Sequence, residues 1–150
     1  MGIVYLGADH RGFNLKEKLK RWMGESGIEI IDLGNEVYDQ EDDYPDFAIR
    51  VGEKVAVERT KGILVCGSGI GMVATVNKVR GIRAGLCSTP KETYSGRNDD
   101  DMNVLCLSAE LVDEDTNKEV VKVFLETPFG SEERYIRRIN KIKKYELKTS

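Results

Sequence analysis

The residues best suited to chemistry follow one short apolar run. Cys66 precedes Gly67-Ser68-Gly69-Ile70-Gly71, a stretch dominated by glycine. Glycines let backbone N–H groups turn toward an anion at the start of a helix, and a cysteine at such a place tends toward the thiolate. A thiolate base beside backbone donors suits a reaction that builds negative charge on oxygen, such as formation of an enediolate.

Two other interpretations of this stretch stay open. A buried cysteine at a strand end, followed by an ordinary tight turn, would have the same sequence. The glycines also resemble a loose dinucleotide-binding loop, but they lack the full Gly-x-Gly-x-x-Gly spacing and follow the third apolar run instead of the first.

Further candidates lie near the ends of other predicted elements. His10, the sole histidine, stands between Asp9 and Arg11 directly after the first apolar run. A structural role and contact with a substrate are both open for it. Arg134 and Arg138 are four residues apart, so they share one face of a predicted helix and could hold a phosphate or form surface ion pairs.

The remaining candidates have simple structural alternatives. Tyr44, in Asp43-Tyr44-Pro45, could contact a sugar or only pack its loop. The acidic run Asp99-Asp100-Asp101 could line a site, but it is also typical of a solvated loop or helix end. Cys87 and Cys106 lie inside apolar runs and are predicted to be core residues.

Five short apolar runs predict the strands that position these residues. They are Ile3–Ala8, Ile28–Leu33, Ile63–Cys66, Arg83–Cys87 and Val104–Leu107. Several are apolar throughout, as expected for parallel strands covered on both faces. Because ligands bind beyond the carboxyl ends of the strands in open parallel sheets, the segments after these runs are where we expect the site.

Apolar residues at helical spacing predict six helices. The first has Leu15, Leu19, Trp22 and Met23 on one face, with Asn14 and Glu17 as a capping pair at its start. The next four are expected after Pro45, over Ile70–Val79, over Lys91–Gly96 and around Val120–Leu125. The last is expected over about residues 131–147, with Ile136, Ile139 and Ile142 facing inward. This alternation predicts a single α/β domain over residues 1–150, with helices on both faces of a parallel sheet.

Composition limits the class of protein. The 150 residues are 40% hydrophobic and 33% charged, with a net charge of −3, which is typical of a globular protein and lacks the basic surplus of a nucleic-acid binder. No run approaches the roughly 20 apolar residues needed to span a membrane, and no signal peptide is expected. Three cysteines without paired spacing argue against a disulfide framework or a zinc site and favour the cytoplasm.

Taken in order along the chain, these motifs resemble the ribose-5-phosphate isomerase B family, which also contains the galactose-6-phosphate isomerase subunits. The segments that carry the resemblance are Gly7-Ala8-Asp9-His10-Arg11-Gly12, Asp43-Tyr44-Pro45, Ile63–Gly71, Asn77-Lys78 and Gly81-Ile82-Arg83-Ala84. The resemblance implies a Rossmann-like three-layer α/β/α sandwich with a five-stranded parallel sheet. It also implies an aldose–ketose isomerase of a small sugar phosphate that uses no metal or cofactor.

The resemblance assigns the catalytic residues by position. Cys66 would move a proton between C1 and C2 of the sugar, and Ser68 would assist proton movement at the oxygens. The backbone N–H groups of Gly67, Gly69, Ile70 and Gly71 would hold the enediolate.

The resemblance also assigns the binding residues. Asp9 and His10 would contact the sugar and phosphate ends, and Tyr44 would line the pocket. Arg134 and Arg138 would reach the phosphate from a neighbouring subunit. The implied assembly is a homodimer or tetramer with its active sites between subunits, in which the C-terminal helix packs on the neighbour.

This chain departs from the family pattern at two acidic positions. Asp99, with Asp100 beside it, stands where the family has a histidine that opens the sugar ring, so Asp99 would have to act as that base. Glu110 stands where some members have a phosphate-binding arginine. Three alternatives therefore stay open: a different substrate such as a galactose 6-phosphate-like sugar, a site completed by a different partner subunit, or a non-catalytic homologue that binds sugar phosphates.

Overall fold

The computed structural model describes residues 2–149, and five parallel strands form one sheet within them. The strands are β1 (Val4–Ala8), β2 (Ile30–Asp32), β3 (Lys61–Cys66), β4 (Ala84–Leu86) and β5 (Val104–Ser108). The helices are α1 (Phe13–Glu25), α2 (Tyr44–Glu58), α3 (Ile70–Val76), α4 (Pro90–Asp100), α5 (Glu114–Glu126) and α6 (Glu133–Thr149). The predicted α/β fold with a five-stranded parallel sheet is confirmed.

The strand order β2-β1-β3-β5-β4 places β3 at the centre of the sheet. Ala8 at the end of β1 is in register with Val65, and Cys66 at the end of β3 is in register with Ser108 of β5. The carboxyl ends of the three middle strands therefore lie side by side, and the segments that follow them share one edge.

Each face of the sheet has its own hydrophobic core. Because successive side chains of a strand point to opposite faces, Ile63 and Val65 pack with residues of α1 and α5, whereas Leu64 and Cys66 pack with residues of α2 and α3. Burial on both faces explains why the strands read as uninterrupted apolar runs in the sequence.

Predicted helix boundaries are wrong for α1 and α4, and also for α3, which ends at Val76 instead of Val79. α1 begins at Phe13 after Gly12, without a side-chain cap, so Asn14 does not begin the helix. The Asp9 carboxylate accepts the Gly12 N–H group at 3.0 Å and satisfies this end instead. α4 is longer than Lys91–Gly96: the capping box of Thr89 and Glu92 starts it one residue earlier, and the helix continues to Asp100.

The expectation that α6 turns three isoleucines inward is also wrong. Ile139 is 5% exposed, but Ile136 and Ile142 are 43% and 47% exposed. α6 packs mainly against the end of α4 and reaches the turn before β4 through Glu146, whose carboxylate accepts the Gly81 N–H group at 2.9 Å. The rest of the chain therefore buries only a narrow strip along α6, which includes Ile139. No helix in residues 2–149 is both long and apolar enough to cross a membrane.

Candidate active site

The candidate site lies at the carboxyl edge of the sheet, where backbone hydrogen bonds join the segments after β3 and β5. Ala109 donates its N–H group to the Cys66 carbonyl at 3.0 Å, and Glu110 donates to the Gly67 carbonyl at 3.1 Å. The hydroxyl of Ser108 donates to the same Gly67 carbonyl at 2.7 Å. These bonds fix the loop that begins at Cys66.

The Cys66 sulfur faces a backbone donor of its own loop. The N–H group of Gly69 points at Sγ with a distance of 3.1 Å, and a φ of +82° at Gly69 turns the chain into this position. The next N–H group, of Ile70, is directed at the Ser68 hydroxyl oxygen at 3.2 Å. The loop therefore holds the sulfur and the hydroxyl oxygen of Ser68 each against a backbone donor.

The other two cysteines lie in a different environment. Burial raises the pKa of the Cys87 thiol and raises that of Cys106 further, because Cys106 is fully buried in the core between the sheet and its helices. The prediction that these two are core residues is confirmed by their burial.

All three glycines of the loop lie where a side chain would clash, and on Gly69 a Cβ atom would lie 2.4 Å from Cδ1 of Leu86. A Cβ atom on Gly67 would lie 2.3 Å from Cζ of Arg11, and one on Gly71 would lie 2.6 Å from the ring of Tyr44. Tyr44 is the first residue of α2 and is 40% exposed. Arg11 and Tyr44 therefore lie directly against the loop that follows Cys66.

A polar network adjoins the loop at the end of β1. The Asp9 carboxyl is 4% exposed, and this burial raises its pKa. His10 bonds Asp42 through both its backbone N–H group and Nδ1, at 2.9 and 2.8 Å, and the second bond raises the pKa of the imidazole. Asn35 donates to the other oxygen of Asp42 at 3.1 Å.

Asp42 was not predicted, since it is one of several acidic residues in the loop before α2 and has no distinctive spacing. Ligand atoms of Asp9, His10 and Asp42 lie within 4.8 Å of one another. In the structure Asp42 accepts from His10 and Asn35, whereas the Asp9 carboxylate accepts the Gly12 N–H group.

Arg11 and Glu110 form an ion pair that was also not predicted. Nε and Nη2 of Arg11 donate to the two carboxylate oxygens of Glu110 at 2.5 and 2.7 Å. The bidentate bond raises the pKa of Arg11 and lowers that of Glu110. The two residues come from the ends of β1 and β5, so the pair crosses the end of β3.

The acidic candidates lie elsewhere. Asp99 and Asp100 are in the last turn of α4, which runs back from the carboxyl edge to the amino edge of the sheet. Arg83, just before β4, donates to the Asp100 carbonyl at 2.8 Å and fixes this end of the helix. Within one chain, Asp99 and Asp100 therefore lie at the opposite edge of the sheet from Cys66.

The two predicted arginines lie on exposed surface of α6. Arg134 bonds Glu132 at 3.0 Å, and Arg138 is exposed. The segment leading into α6 is held to the end of α4, because Gly130 donates to the Asn98 carbonyl at 2.9 Å. The chain thus brings Asp9, His10, Tyr44, Cys66 and Ser68 together, and it places the acidic pair near the start of α6 in a second region.

The sequence model of the Ribose/Galactose Isomerase family matches residues 4–142. The chain belongs to this family. Ribose-5-phosphate isomerase B of Escherichia coli is 37% identical over 123 residues, which cover 81% of this chain and 82% of that protein. The predicted family resemblance is therefore confirmed.

Solved structures show the same relationship over nearly the whole chain. Ribose-5-phosphate isomerase B from Mycoplasma genitalium with bound ribulose-5-phosphate superposes with a TM-score of 0.94 at 38% identity, covering 98% of this chain and 97% of that one. The enzyme from Clostridium thermocellum gives a TM-score of 0.95 at 34% identity, covering 99% and 100%.

Proposed function

We propose that this chain is an isomerase that interconverts an aldose phosphate and a ketose phosphate of the ribose 5-phosphate and ribulose 5-phosphate type. The observation that carries the proposal is the Cys66 sulfur, held against the Gly69 N–H group in a loop fixed to β5. A relative with the same fold at 38% identity binds ribulose-5-phosphate, which supports this substrate class.

The reaction follows from a base placed beside backbone donors. The Cys66 thiolate removes the proton from C2 of the open-chain aldose, and the electrons of that bond form the C1–C2 double bond of an enediolate. The N–H groups of the loop from Gly67 to Gly71 stabilise the negative charge on oxygen. Cys66 then returns its proton to C1, while the proton of the C2 hydroxyl moves to the C1 oxygen with the help of Ser68, and the ketose results.

The residues around the loop bind the substrate. Asp9 has a raised pKa, so it is protonated over a wider pH range than an ordinary aspartate and can hydrogen-bond a sugar hydroxyl. His10 is held by Asp42 in a form that favours positive charge, which suits contact with an anionic group. The ring of Tyr44 closes the side of the pocket above Gly71.

The complete site lies between two copies of the chain. This proposal is supported by the separation of Asp99, Asp100, Arg134 and Arg138 from Cys66 within one chain. It is also supported by a groove of about 1130 Å³ along the exposed edge at β4, lined by residues of β4, α4 and α6. Arg134 and Arg138 of a second copy bind the phosphate, and Asp99 of that copy acts as the base that opens the sugar ring. With three free thiols and no described membrane helix, we place this assembly in the cytoplasm.

Replacement of Cys66 tests the chemistry. The Cys66→Ala variant is expected to lose turnover of ribose 5-phosphate and the exchange of the C1 or C2 proton with deuterium from solvent, measured by NMR. Cys87→Ala is the matched control, because that thiol lies in the core, and it should retain exchange. Exchange at the wild-type rate in Cys66→Ala would remove Cys66 as the base.

A substrate panel separates the alternatives. Ribose 5-phosphate, allose 6-phosphate and galactose 6-phosphate are compared for turnover and for binding by calorimetry. Faster turnover of a six-carbon sugar phosphate would assign a different substrate to the same mechanism. Binding without turnover of any sugar would show a non-catalytic homologue and would refute the proposed function.

Mixing two inactive variants tests the shared site. Cys66→Ala and Arg138→Met chains, unfolded together and refolded, should recover activity, since a mixed dimer contains one site that carries neither substitution. Random pairing should restore about a quarter of the wild-type activity. Absence of recovery, with mixed dimers shown by native mass spectrometry, would place Arg138 in the same site as Cys66 of its own chain or outside the site.

A further inference from the structure

The Arg11–Glu110 pair lies against Gly67 beside the candidate site, and it has no role in the proposed mechanism. Because β3 lies between β1 and β5, the pair crosses the end of β3 directly over Gly67, the residue that follows the base. The side chains of Arg11 and Glu110 are 53% and 47% exposed. A substrate that reaches Cys66 therefore passes an accessible guanidinium.

The guanidinium has donors left for a second anion. Glu110 occupies Nε and Nη2 of Arg11, and a guanidinium carries five N–H groups in all. The fork geometry of arginine suits bidentate contact with phosphate as well as with carboxylate. Glu110 thus holds Arg11 by the same type of contact that a phosphate would make.

His10 shares this electrostatic environment. The charge of Arg11 opposes protonation of His10, and the charge of His10 contributes to the lowered pKa of Glu110. The end of β1 therefore presents two adjacent basic side chains, and the Glu110 carboxylate faces Arg11.

We propose that Arg11 binds the phosphate of the substrate within its own chain and that the Glu110 carboxylate competes with this phosphate for the guanidinium. The inference rests on the proposed function, because a sugar phosphate must be the ligand. Arg11 then determines which anionic sugars bind, and Glu110 limits how tightly they bind.

The competition predicts opposite effects for the two partners. Arg11→Met removes a charged bidentate donor, and KM for ribose 5-phosphate should rise roughly 10- to 100-fold with kcat changed far less. Glu110→Gln removes the negative charge but keeps one oxygen to orient Arg11, so KM should fall roughly three- to tenfold.

The matched control is the ion pair between Lys18 and Glu114. It joins α1 to α5 at 2.8 Å with similar exposure, 55% and 39%, and neither residue is among the neighbours of the glycines in the Cys66 loop. Lys18→Met and Glu114→Gln should leave KM unchanged. A pair that served only to join β1 to β5 would give equal losses of thermal stability in Arg11→Met and Glu110→Gln and no change in KM.

Binding of inorganic phosphate, measured by calorimetry, tests the inference apart from turnover. Phosphate should bind more weakly to Arg11→Met and more tightly to Glu110→Gln than to the wild type. If wild-type chains convert no sugar phosphate, the proposed function fails while this measurement still decides the role of Arg11. Unchanged KM and phosphate affinity in Arg11→Met, or a higher KM in Glu110→Gln, would overturn the inference.

Discussion

The position of the Tyr44 ring depends on the absence of a side chain at Gly71. A Cβ atom there would lie 2.6, 2.7 and 2.9 Å from three ring atoms of Tyr44. Because ordinary contact begins near 3.4 Å, the ring has to retreat by about 0.8 Å when Gly71 is replaced by alanine. The backbone of Gly71 is not left-handed, so alanine fits its helical conformation.

We expect Gly71→Ala to reduce activity without reducing stability. An alanine inside a helix is favoured over glycine by roughly 0.5–1 kcal/mol. The Tyr44 side chain is 40% exposed, so it can move outward at little cost. A shift of about 1 Å in a residue that positions substrate can cost up to about 100-fold in rate. The expected result is a loss of roughly 10- to 100-fold in kcat/KM at an unchanged or slightly higher Tm.

Steady-state kinetics and thermal unfolding of the wild type and four variants test this prediction. Gly24→Ala is the control, because its Cβ would meet no atom within 4 Å, and it should keep full activity. The double variant Tyr44→Ala/Gly71→Ala should match Tyr44→Ala alone, since the clash disappears with the ring. Wild-type kcat/KM in Gly71→Ala, or losses that multiply in the double variant, would refute the assignment of Tyr44 as a wall of the site.

Two further predictions concern charged networks. Burial opposes the charge of Asp32, but hydrogen bonds from Lys16 and Lys20 hold its pKa below the usual value. Lys16 is 1% exposed, so Asp32→Ala leaves its buried ammonium without the Asp32 carboxylate. The free energy of unfolding, measured with urea at pH 7, should fall by about 3–5 kcal/mol. The ionised Asp32 stabilises the fold above about pH 4, and this stabilisation is lost as pH falls below that value. The free energy of unfolding of Asp32→Ala should therefore depend less on pH in the acid range than that of the wild type. An unchanged pH dependence would count against the network. Asp42→Asn should lower the pKa of His10 toward 6.5, measured on the only histidine signals in the NMR spectrum. In the wild type the His10–Asp42 pair stabilises the fold below about pH 6.5, and this stabilisation is lost as pH rises through the raised pKa of His10. Asp43→Asn serves as the control.

The centre of the fold could be predicted from sequence because burial on both faces leaves a strong signal. β1, β3 and β5 were each predicted within two residues of their bounds, and all three pair along much of their length. The short outer strands β2 and β4 were predicted too long. Each has a neighbour on one side only, and just past the end of each strand Leu33 and Cys87 still donate an N–H group to that neighbour, at 2.8 and 3.3 Å.

The site could be predicted only where its residues are close in sequence. The Cys66 loop carries its glycines within five positions, and Asp9 and His10 are adjacent. Arg11 and Glu110 are 99 positions apart, and they meet only because β1 and β5 flank β3. No local pattern marks such a pair, since single charged residues at strand ends are common on any surface.

The placement of Asp99 shows how one helix boundary can change a functional interpretation. A short helix that stopped at Gly96 would leave the acidic run in a loop. Instead Arg97 and Arg83 both bond Asp101, which ends the helix in the left-handed conformation, and Asp99 falls within the last turn. The helix extends over 11 residues, about 16 Å, and carries Asp99 to the far edge of the sheet.

Association of two chains would bring Arg134 and Arg138 of one chain to the Cys66 loop of the other, and it would also cover the exposed surface of α6. Ile136 and Ile142 lie on the same helix as Arg134 and Arg138, and they remain more than 40% exposed in the single chain. Burying such side chains against a second copy stabilises association by roughly 25 cal/mol for each Å² of apolar surface removed from water. The helix that would deliver the arginines to a neighbouring phosphate thus also carries apolar residues that would hold it there. On this proposal assembly and substrate binding depend on the same element, so substitutions that keep α6 from docking should weaken the site even when Cys66 and its loop are intact.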